Sequence, residues 1–375
     1  MSQPSITQAD VYAALLARKL GTLSNPIHLH ATTTLTVPSN VVKALVRVRG
    51  GGGSGACSSN VTLGAVTGGA GAGFSMGVLS VVPNESMVCT IGAGGAQISL
   101  TNSTSSGNTG GTSSVAVTSW TISATGGGGG AASNTNGVAA TVPAAGSGSN
   151  GDLNTTGGTS GTITCATGKR GATGGGSAGN ELGNGATSGA VTNAGASGGA
   201  GMFAASGTGA SDFASGGGGF RGTSGNSSTV FTAGGSAFGN GSVNSTVAFT
   251  GLASPTFCPN PIMALSIPMG TGGGGSTGAG ANGTDGGGGG AGGIGGGKGG
   301  FGAGGGSSSS TSTGTTAGDG GQYGGGGGAT GTGGLTTSGS GSFGAGGGGA
   351  VCGSTDGAKS SVGGVGEIVI QWFWP

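Results

Sequence analysis

Apolar residues follow a helical spacing at the start of the chain. Ser5 and Gln8, three residues later, form a capping-box pattern, and Gly21 is a typical helix stop. This predicts a short amphipathic α-helix over residues 5–20. A helix of this length is marginal alone in water, so we expect its apolar stripe to dock on its own domain, a symmetry mate or a partner protein. The stripe consists of Val11, Tyr12, Leu15, Leu16 and Leu20.

The pattern changes from helical spacing to strand-like segments after residue 26. Leu35 and Val37 alternate with threonines, a turn follows at Pro38, and residues 41–49 form a Val-rich strand. Because strand-like segments lie at both ends with glycine runs between them, we expect the start and end to pair in one sheet system. We expect one domain over 27–375, preceded by an attachment segment, 1–26. Further predicted strands cover residues 77–82, 86–91, 113–117, 120–123, 243–249, 262–267 and 366–374.

Glycine dominates the rest of the sequence. It supplies 104 of 375 residues, about four times the usual share. Ordering so many glycines is entropically expensive, so such a chain folds only if the glycines pack cooperatively. Threefold extended helices that pair their backbone groups with neighbouring helices provide one such packing.

Charge and residue types narrow the function. A net charge of +1 does not provide the basic surface that phosphate neutralisation requires, so we expect no nucleic-acid partner. With two histidines and nine acids, few groups can transfer protons, and we expect neither an enzyme nor a cofactor. No apolar run is long enough for membrane insertion. The first residues lack a secretory signal, which favours synthesis in a cytoplasm.

Three motifs in order carry a family resemblance. They are the Thr-rich strand, Val-Pro turn, Val-rich strand and glycine run of residues 32–53, the strand and glycine turn of 87–95, and the Ile/Val strand with aromatics of 366–374. This order resembles the glycine-rich module of bacteriophage tail fibres and tail-tip adhesins. It is also similar to the extracellular module of anaplastic-lymphoma-kinase-type receptors. The resemblance implies a mainly β fold: a β-sandwich, jelly-roll or tumour-necrosis-factor-like, with packed polyglycine II helices.

The resemblance also implies a function. We expect a virion tail-fibre or tail-tip protein, made in the host cytoplasm, that attaches to a host surface receptor, either protein or glycan. Its other partners would be virion tail proteins and copies of itself, with a trimer favoured. One alternative is a structural virion component without receptor binding, such as a head fibre, decoration protein or tail-tip building block. Another is a non-viral surface or matrix protein with an unrecognised export route.

Isolated apolar side chains among the glycines are candidates for receptor contact, since aromatic residues dominate interface energetics. Two alternatives remain open. The isolated aromatics could be wedges at the ends of the glycine lattice, and residues 249–269 could be a core hairpin of the sandwich. The candidate receptor-contact residues are Phe203, Phe213, Phe220, Arg221, Phe257, Ile262 and Met263.

Two short motifs are weak candidates for other chemistry. His28 and His30 would share one face of a strand and are possible metal ligands, although we expect a solvated strand face and no metal. Ser75 lies in a Gly-x-Ser-x-Gly pattern, which chance matches explain in a chain this rich in glycine and serine. The five scattered cysteines form no Cys-x-x-Cys pair, so we expect buried or inert thiols.

Overall fold

The computed structural model describes residues 22–59, 64–134, 140–165, 168–210, 212–227, 231–236, 272–284 and 286–374. This part of the chain consists of strands and extended segments and contains no helix, which confirms the mainly β prediction. It therefore includes no helix that is long and apolar enough to cross a membrane. The helix predicted over 5–20 and the strands predicted over 243–249 and 262–267 lie outside the described residues. The division at residue 26 stays a prediction.

The described residues form 26 strands, most of them short because glycine segments interrupt them. The first thirteen are β1 (Thr22–Leu23), β2 (Ile27–Leu29), β3 (Thr33–Thr36), β4 (Lys43–Arg49), β5 (Cys57–Ser59), β6 (Gly64–Val66), β7 (Phe74–Ser80), β8 (Ser86–Thr90), β9 (Ser99–Leu100), β10 (Thr104–Ser105), β11 (Ser113–Val117), β12 (Trp120–Ala124) and β13 (Ala132–Ser133). The others are β14 (Gly148–Ser149), β15 (Leu153–Thr155), β16 (Ile163–Cys165), β17 (Arg170–Ala172), β18 (Val191–Asn193), β19 (Gly195–Ala196), β20 (Gly209–Ala210), β21 (Ser308–Ser309), β22 (Ala329–Gly331), β23 (Thr336–Thr337), β24 (Ala350–Cys352), β25 (Ala358–Lys359) and β26 (Glu367–Trp374).

Two antiparallel sheets form a sandwich. The first has the strand order β1-β26-β4-β7-β15, with β2 also paired to β26, and the second has the order β14-β12-β11-β8-β3. The last strand pairs with β4 over seven residues, from Arg49 opposite Glu367 to Lys43 opposite Phe373. The expected pairing between the start and end of the chain is therefore confirmed.

Alternation along β4 explains how the sandwich closes. Ala44, Val46 and Val48 are fully buried and face the second sheet, where Met87 and Ile122 complete the same core. The alternate residues of β4 face outward from the sandwich. Four strands of the second sheet, β8, β11, β12 and β14, are connected as an up-and-down meander, a simpler connection than the Greek keys of a jelly roll.

The glycine segments form a hydrogen-bonded lattice with a period of three residues. Residues 50–52 donate their amides to three different neighbouring segments, and residues 53–55 donate to the same three in the same order. These neighbours are residues 67–73, 105–111 and 361–364. Extended helices with three residues per turn, bonded to their neighbours, produce this pattern, as expected for polyglycine II.

The lattice requires glycine because its backbones lie in contact. A Cβ added at Gly346 would lie 2.0 Å from the carbonyl oxygen of Gly69, and one added at Gly199 would lie 1.9 Å from that of Gly325. Both obstacles are backbone atoms held in the lattice by their own hydrogen bonds. The glycine content is thus a packing requirement at these sites.

A ladder of buried serines connects one part of the lattice. Each of the five hydroxyls accepts a hydrogen bond from the amide of one glycine and donates a hydrogen bond to the carbonyl of another. For four of the serines, the glycine whose carbonyl accepts lies eight residues before the serine. Each hydroxyl therefore joins two backbone groups that would otherwise lack partners in a buried position. The serines recur every nine residues and are Ser188, Ser197, Ser206, Ser215 and Ser224.

The cysteines of the described part are buried and free, namely Cys57, Cys89, Cys165 and Cys352. Burial raises the pKa of the Cys57 and Cys165 thiols to about 12 and that of Cys89 to about 11. Since thiolates are the reactive form, these three thiols are inert in the folded protein, as expected.

Candidate functional site

Aromatic residues gather at one edge of the lattice because parallel segments end there together. Segments 196–201 and 214–219 lie side by side, and two amide-to-carbonyl bonds, three residues apart in both segments, fix their register. Phe203 and Phe220 follow these segments and meet with ring centroids 5.4 Å apart in an edge-to-face arrangement. Two of the predicted contact residues are thus brought together.

Three later turns extend this cluster. The segments before Phe301, Tyr323 and Phe343 are parallel neighbours, so these residues also reach one edge. The Tyr323 ring lies 6.5 Å from that of Phe301 and 6.3 Å from that of Phe343, and it packs on the cluster of Met202 and Phe220. We call the five residues Phe203, Phe220, Phe301, Tyr323 and Phe343 the aromatic edge.

Backbone strain accompanies two members of the aromatic edge. Tyr323 and Phe343 have positive φ angles of 65° and 29°. Such angles cost a bulky residue on the order of 1–3 kcal/mol, whereas glycine adopts them freely. Large side chains therefore occupy these turns despite the conformational preference of the backbone.

Arg221 lies beside the aromatic edge. Its guanidinium carbon is 5.5 Å from the centroid of the Phe203 ring, a cation–π distance, and the residue is exposed. Phe301, 37% exposed, is the most accessible of the aromatic residues there. The edge therefore presents the Phe301 ring and the Arg221 charge to solvent, with Phe203, Tyr323 and Phe343 partly exposed and Phe220 buried beneath them.

A buried ion pair stands where the aromatic edge meets the sandwich. Arg49 Nη1 donates to Glu367 Oε2 at 2.7 Å, and both side chains are less than 10% exposed. The Arg49 guanidinium carbon lies 3.9 Å from the centroid of the Tyr323 ring and 5.2 Å from that of Phe74. The Tyr323 hydroxyl lies 3.3 Å from Glu367 Oε2, and burial raises the pKa of this phenol.

A cleft of about 200 Å³ opens on the outer face of the first sheet, beside this ion pair. His28 and Arg47 both stand opposite Val369 in their strand pairs, so the three side chains share that face. His28 Nδ1 lies 3.4 Å from Glu367 Oε1. Arg47 Nη1 donates to Gln371 Oε1 at 2.8 Å. From the lattice side, Glu181 and Tyr323 overhang the cleft.

A comparison with known protein families assigns this sequence to a family. The model of a glycine-rich domain matches residues 28–255, more than half of the chain. The chain belongs to this glycine-rich domain family. The matched part begins at β2 and includes Phe203 and Phe220, whereas Tyr323 and Glu367 lie beyond it. No curated protein matches the sequence significantly.

The predicted contact residues of this glycine-rich domain protein do not all lie together. Phe213 precedes segment 214–219, whereas Phe220 follows it, so Phe213 lies at the opposite edge of the lattice. There it packs edge-to-face on Phe231, at 5.5 Å. Three other candidates, Phe257, Ile262 and Met263, lie outside the described residues, as do the predicted virion-attachment residues Val11, Tyr12, Leu15, Leu16 and Leu20.

The two histidines of the glycine-rich domain have separate surroundings. His28 lies on β2 beside Glu367, whereas His30 follows the strand and its ring lies 5.5 Å from that of Phe343. The described residues include no group of three or more His, Cys, Asp or Glu that could hold a metal. The pair thus has no third ligand within that part of the chain.

Ser75 has a structural environment in the glycine-rich domain. It is buried within β7, and its hydroxyl lies 2.6 Å from Asn154 Oδ1 and 3.1 Å from the carbonyl of Ser149. A nucleophile elbow requires a strand-to-helix turn, which a residue inside a strand does not provide. That this protein is not an enzyme stays a prediction.

Proposed function

We propose that this protein is a bacteriophage tail-fibre or tail-tip protein that attaches the virion to a receptor on the host cell surface. The aromatic edge is the observation that carries the proposal. Aromatic anchors contribute most of the energy at many interfaces. In a lattice built from glycine, five such residues at one edge, two of them in strained turns, favour a binding role over a purely structural one.

The lattice supports this role because it holds the edge in place. Backbone bonds join each segment to several neighbours, so the turns between segments have little freedom. Binding then orders few additional groups, which reduces the entropic cost of association. Recognition loops on a rigid scaffold are a common arrangement in binding proteins.

The sandwich would place the virion-attachment segment at one end and the glycine lattice at the other. Glu367 lies at the lattice end of β26, whereas Trp374 pairs with Thr22 at the other end. Over eight residues this strand spans about 23 Å, so Thr22, the first described residue, lies at the end of the sandwich away from the lattice. We therefore propose that the predicted helix over 5–20 binds other tail proteins there, within a homo-oligomer for which a trimer is favoured.

The receptor contact would depend on shape and apolar burial. With a net charge of +1, long-range steering contributes little, so the rate of encounter with the receptor should change only slightly with ionic strength. Both a protein and a glycan receptor fit this chemistry, because aromatic rings pack on apolar side chains and on the apolar faces of sugars.

The proposal is tested by binding the labelled full-length protein to susceptible and resistant host cells, with whole virions as competitor. We expect saturable binding that virions displace and that resistant cells lack. Deletion of residues 1–21, which keeps β1, should prevent incorporation into virions while leaving cell binding intact. If aromatic-edge substitutions changed assembly but not host range, the protein would instead be a structural virion component.

A further inference from the structure

Arg47 lies in the cleft with much of its hydrogen-bonding capacity unused. Its Nη1 donates to the neutral amide of Gln371, and its Nε is buried without a hydrogen-bond partner. The ion pairs of the described residues do not include Arg47. The Arg47 charge therefore has no anionic partner among the described residues, and its side chain lines the cleft.

The other arginine of the cleft is already committed. Arg49 pairs with Glu367 at 2.7 Å and also donates through Nε to the carbonyl of Gly179 at 3.1 Å. Its positive charge is therefore compensated within the fold. Arg47 is the arginine that remains to bind an anion from solution.

The geometry points to a ligand that carries a carboxylate. We propose that the cleft binds a single-ring, hydroxylated carboxylate, the acidic sugar residue of a surface glycan. A guanidinium is a planar fork that matches a carboxylate with two parallel hydrogen bonds. Arg47 provides this fork from the floor of the cleft, beside His28, which is half exposed.

The remaining lining favours a sugar ring over a simple acid. His28 and Gln371 can bond to hydroxyl groups, and the exposed carboxylate of Glu181 accepts from them. Tyr323 lines the cleft and adds apolar surface beside these polar groups. The volume of about 200 Å³ is below the range of about 300–1,000 Å³ for drug-sized ligands, so it suits one ring and not a longer segment.

The inference deepens the proposed function. It relies on the proposed function only in taking the acidic sugar to come from a glycan on the host surface. Tyr323 belongs to both the cleft and the aromatic edge, so a glycan bound there would continue onto the other rings. One acidic residue would enter the cleft, and neighbouring residues of the glycan would lie on the aromatic edge.

Isothermal titration of the full-length protein with glucuronic acid, glucose and acetate tests the inference. We expect glucuronic acid to bind at least tenfold more tightly than either glucose or acetate. Arg47→Gln should reduce its affinity at least tenfold. Lys43→Gln is the matched control, because it removes the same charge from the same strand outside the cleft, and it should leave the affinity unchanged.

Several results would overturn the inference. They are equal binding of glucose and glucuronic acid, absence of glucuronic acid binding, or equal effects of Arg47→Gln and Lys43→Gln. If Arg47→Gln unfolds the protein, His28→Ala replaces it, because the His28 side chain is half exposed and its removal takes a hydrogen-bonding group from the cleft and should weaken binding. Cell attachment by a parent protein that does not bind glucuronic acid would reject this inference alone, whereas glucuronic acid binding without cell attachment would reject the proposed function alone.

Discussion

Arg49 and Glu367 stand opposite each other in the first sheet, and their buried side chains form an ion pair of 2.7 Å. Arg49 is the last residue of β4 before the glycine lattice begins, and Glu367 is the first residue of the final strand after the lattice ends. The pair therefore closes the junction through which the chain leaves and re-enters the sandwich. Tyr323, from the aromatic edge, covers the guanidinium on one side.

Neutralising Glu367 tests the importance of this junction. Glu367→Gln leaves the Arg49 charge buried without its partner, so we expect the free energy of unfolding to fall by about 3–5 kcal/mol. Asp212→Asn is the matched control, since it makes the same acid-to-amide change in the exposed Lys169–Asp212 pair. That change should cost at most about 1 kcal/mol. Chemical denaturation measures both, and similar losses would contradict a special role for the junction.

Glycine packing predicts a strong dependence on position. In Gly346→Ala the new methyl group would meet the Gly69 carbonyl at 2.0 Å, so we expect a loss of about 3 kcal/mol or more. At Gly278 the nearest heavy atom is 3.6 Å away. Gly278→Ala should therefore be neutral or stabilising by up to about 1 kcal/mol. Equal melting temperatures for the two variants would show that the lattice does not require glycine at position 346.

The serine ladder makes a separate prediction. Ser206→Ala leaves the buried amide of Gly189 and carbonyl of Gly198 without their hydroxyl partner. We expect a loss of about 1–3 kcal/mol. Ser312 is exposed, and Ser312→Ala should change stability by less than about 0.5 kcal/mol. Thermal unfolding distinguishes the two, and an unaffected Ser206→Ala would mean that water replaces the hydroxyl.

Most of the sandwich could be predicted from local pattern, because its strands alternate. The strand predicted over 113–117 has the bounds that the structure gives it, and the one predicted over 366–374 differs by one residue. The sequence also indicated the Arg49–Glu367 pair, because Arg49 ends one predicted strand and Glu367 is the second residue of the other. The nine-residue spacing of the ladder serines is equally visible in the sequence, although its meaning depends on which segments are neighbours.

The aromatic edge could not be assembled from sequence alone. Phe203, Phe213 and Phe220 are similar in the sequence, each an isolated aromatic residue among glycines. Successive segments of the lattice reverse direction at each turn. Phe203 and Phe220 therefore lie at one edge of the lattice, whereas Phe213 lies at the other. Neighbours in the lattice are also distant along the chain, as when Gly199 contacts Gly325, and no local periodicity encodes that choice.

The buried thiols predict a loss of stability in alkali. The pKa of Cys57 is raised to about 12 in the folded protein, whereas an unfolded thiol ionises near about 8.5. The unfolded state therefore loses protons first, and the stability that is present below about pH 8.5 falls as the pH rises toward 12. Melting temperatures across this range should fall less steeply for Cys57→Ala than for the parent protein. Identical slopes would contradict this effect.

The most direct test of the attachment role compares Phe203→Ala with Phe213→Ala. Both residues are half-buried phenylalanines in edge-to-face pairs, with ring distances of 5.4 and 5.5 Å, at opposite edges of the same lattice. Each folded variant would compete with virions for susceptible cells. The proposal predicts that Phe203→Ala weakens competition at least tenfold while Phe213→Ala competes like the parent. Full competition by Phe203→Ala, or its loss only in Phe213→Ala, would contradict the assignment of receptor binding to the aromatic edge.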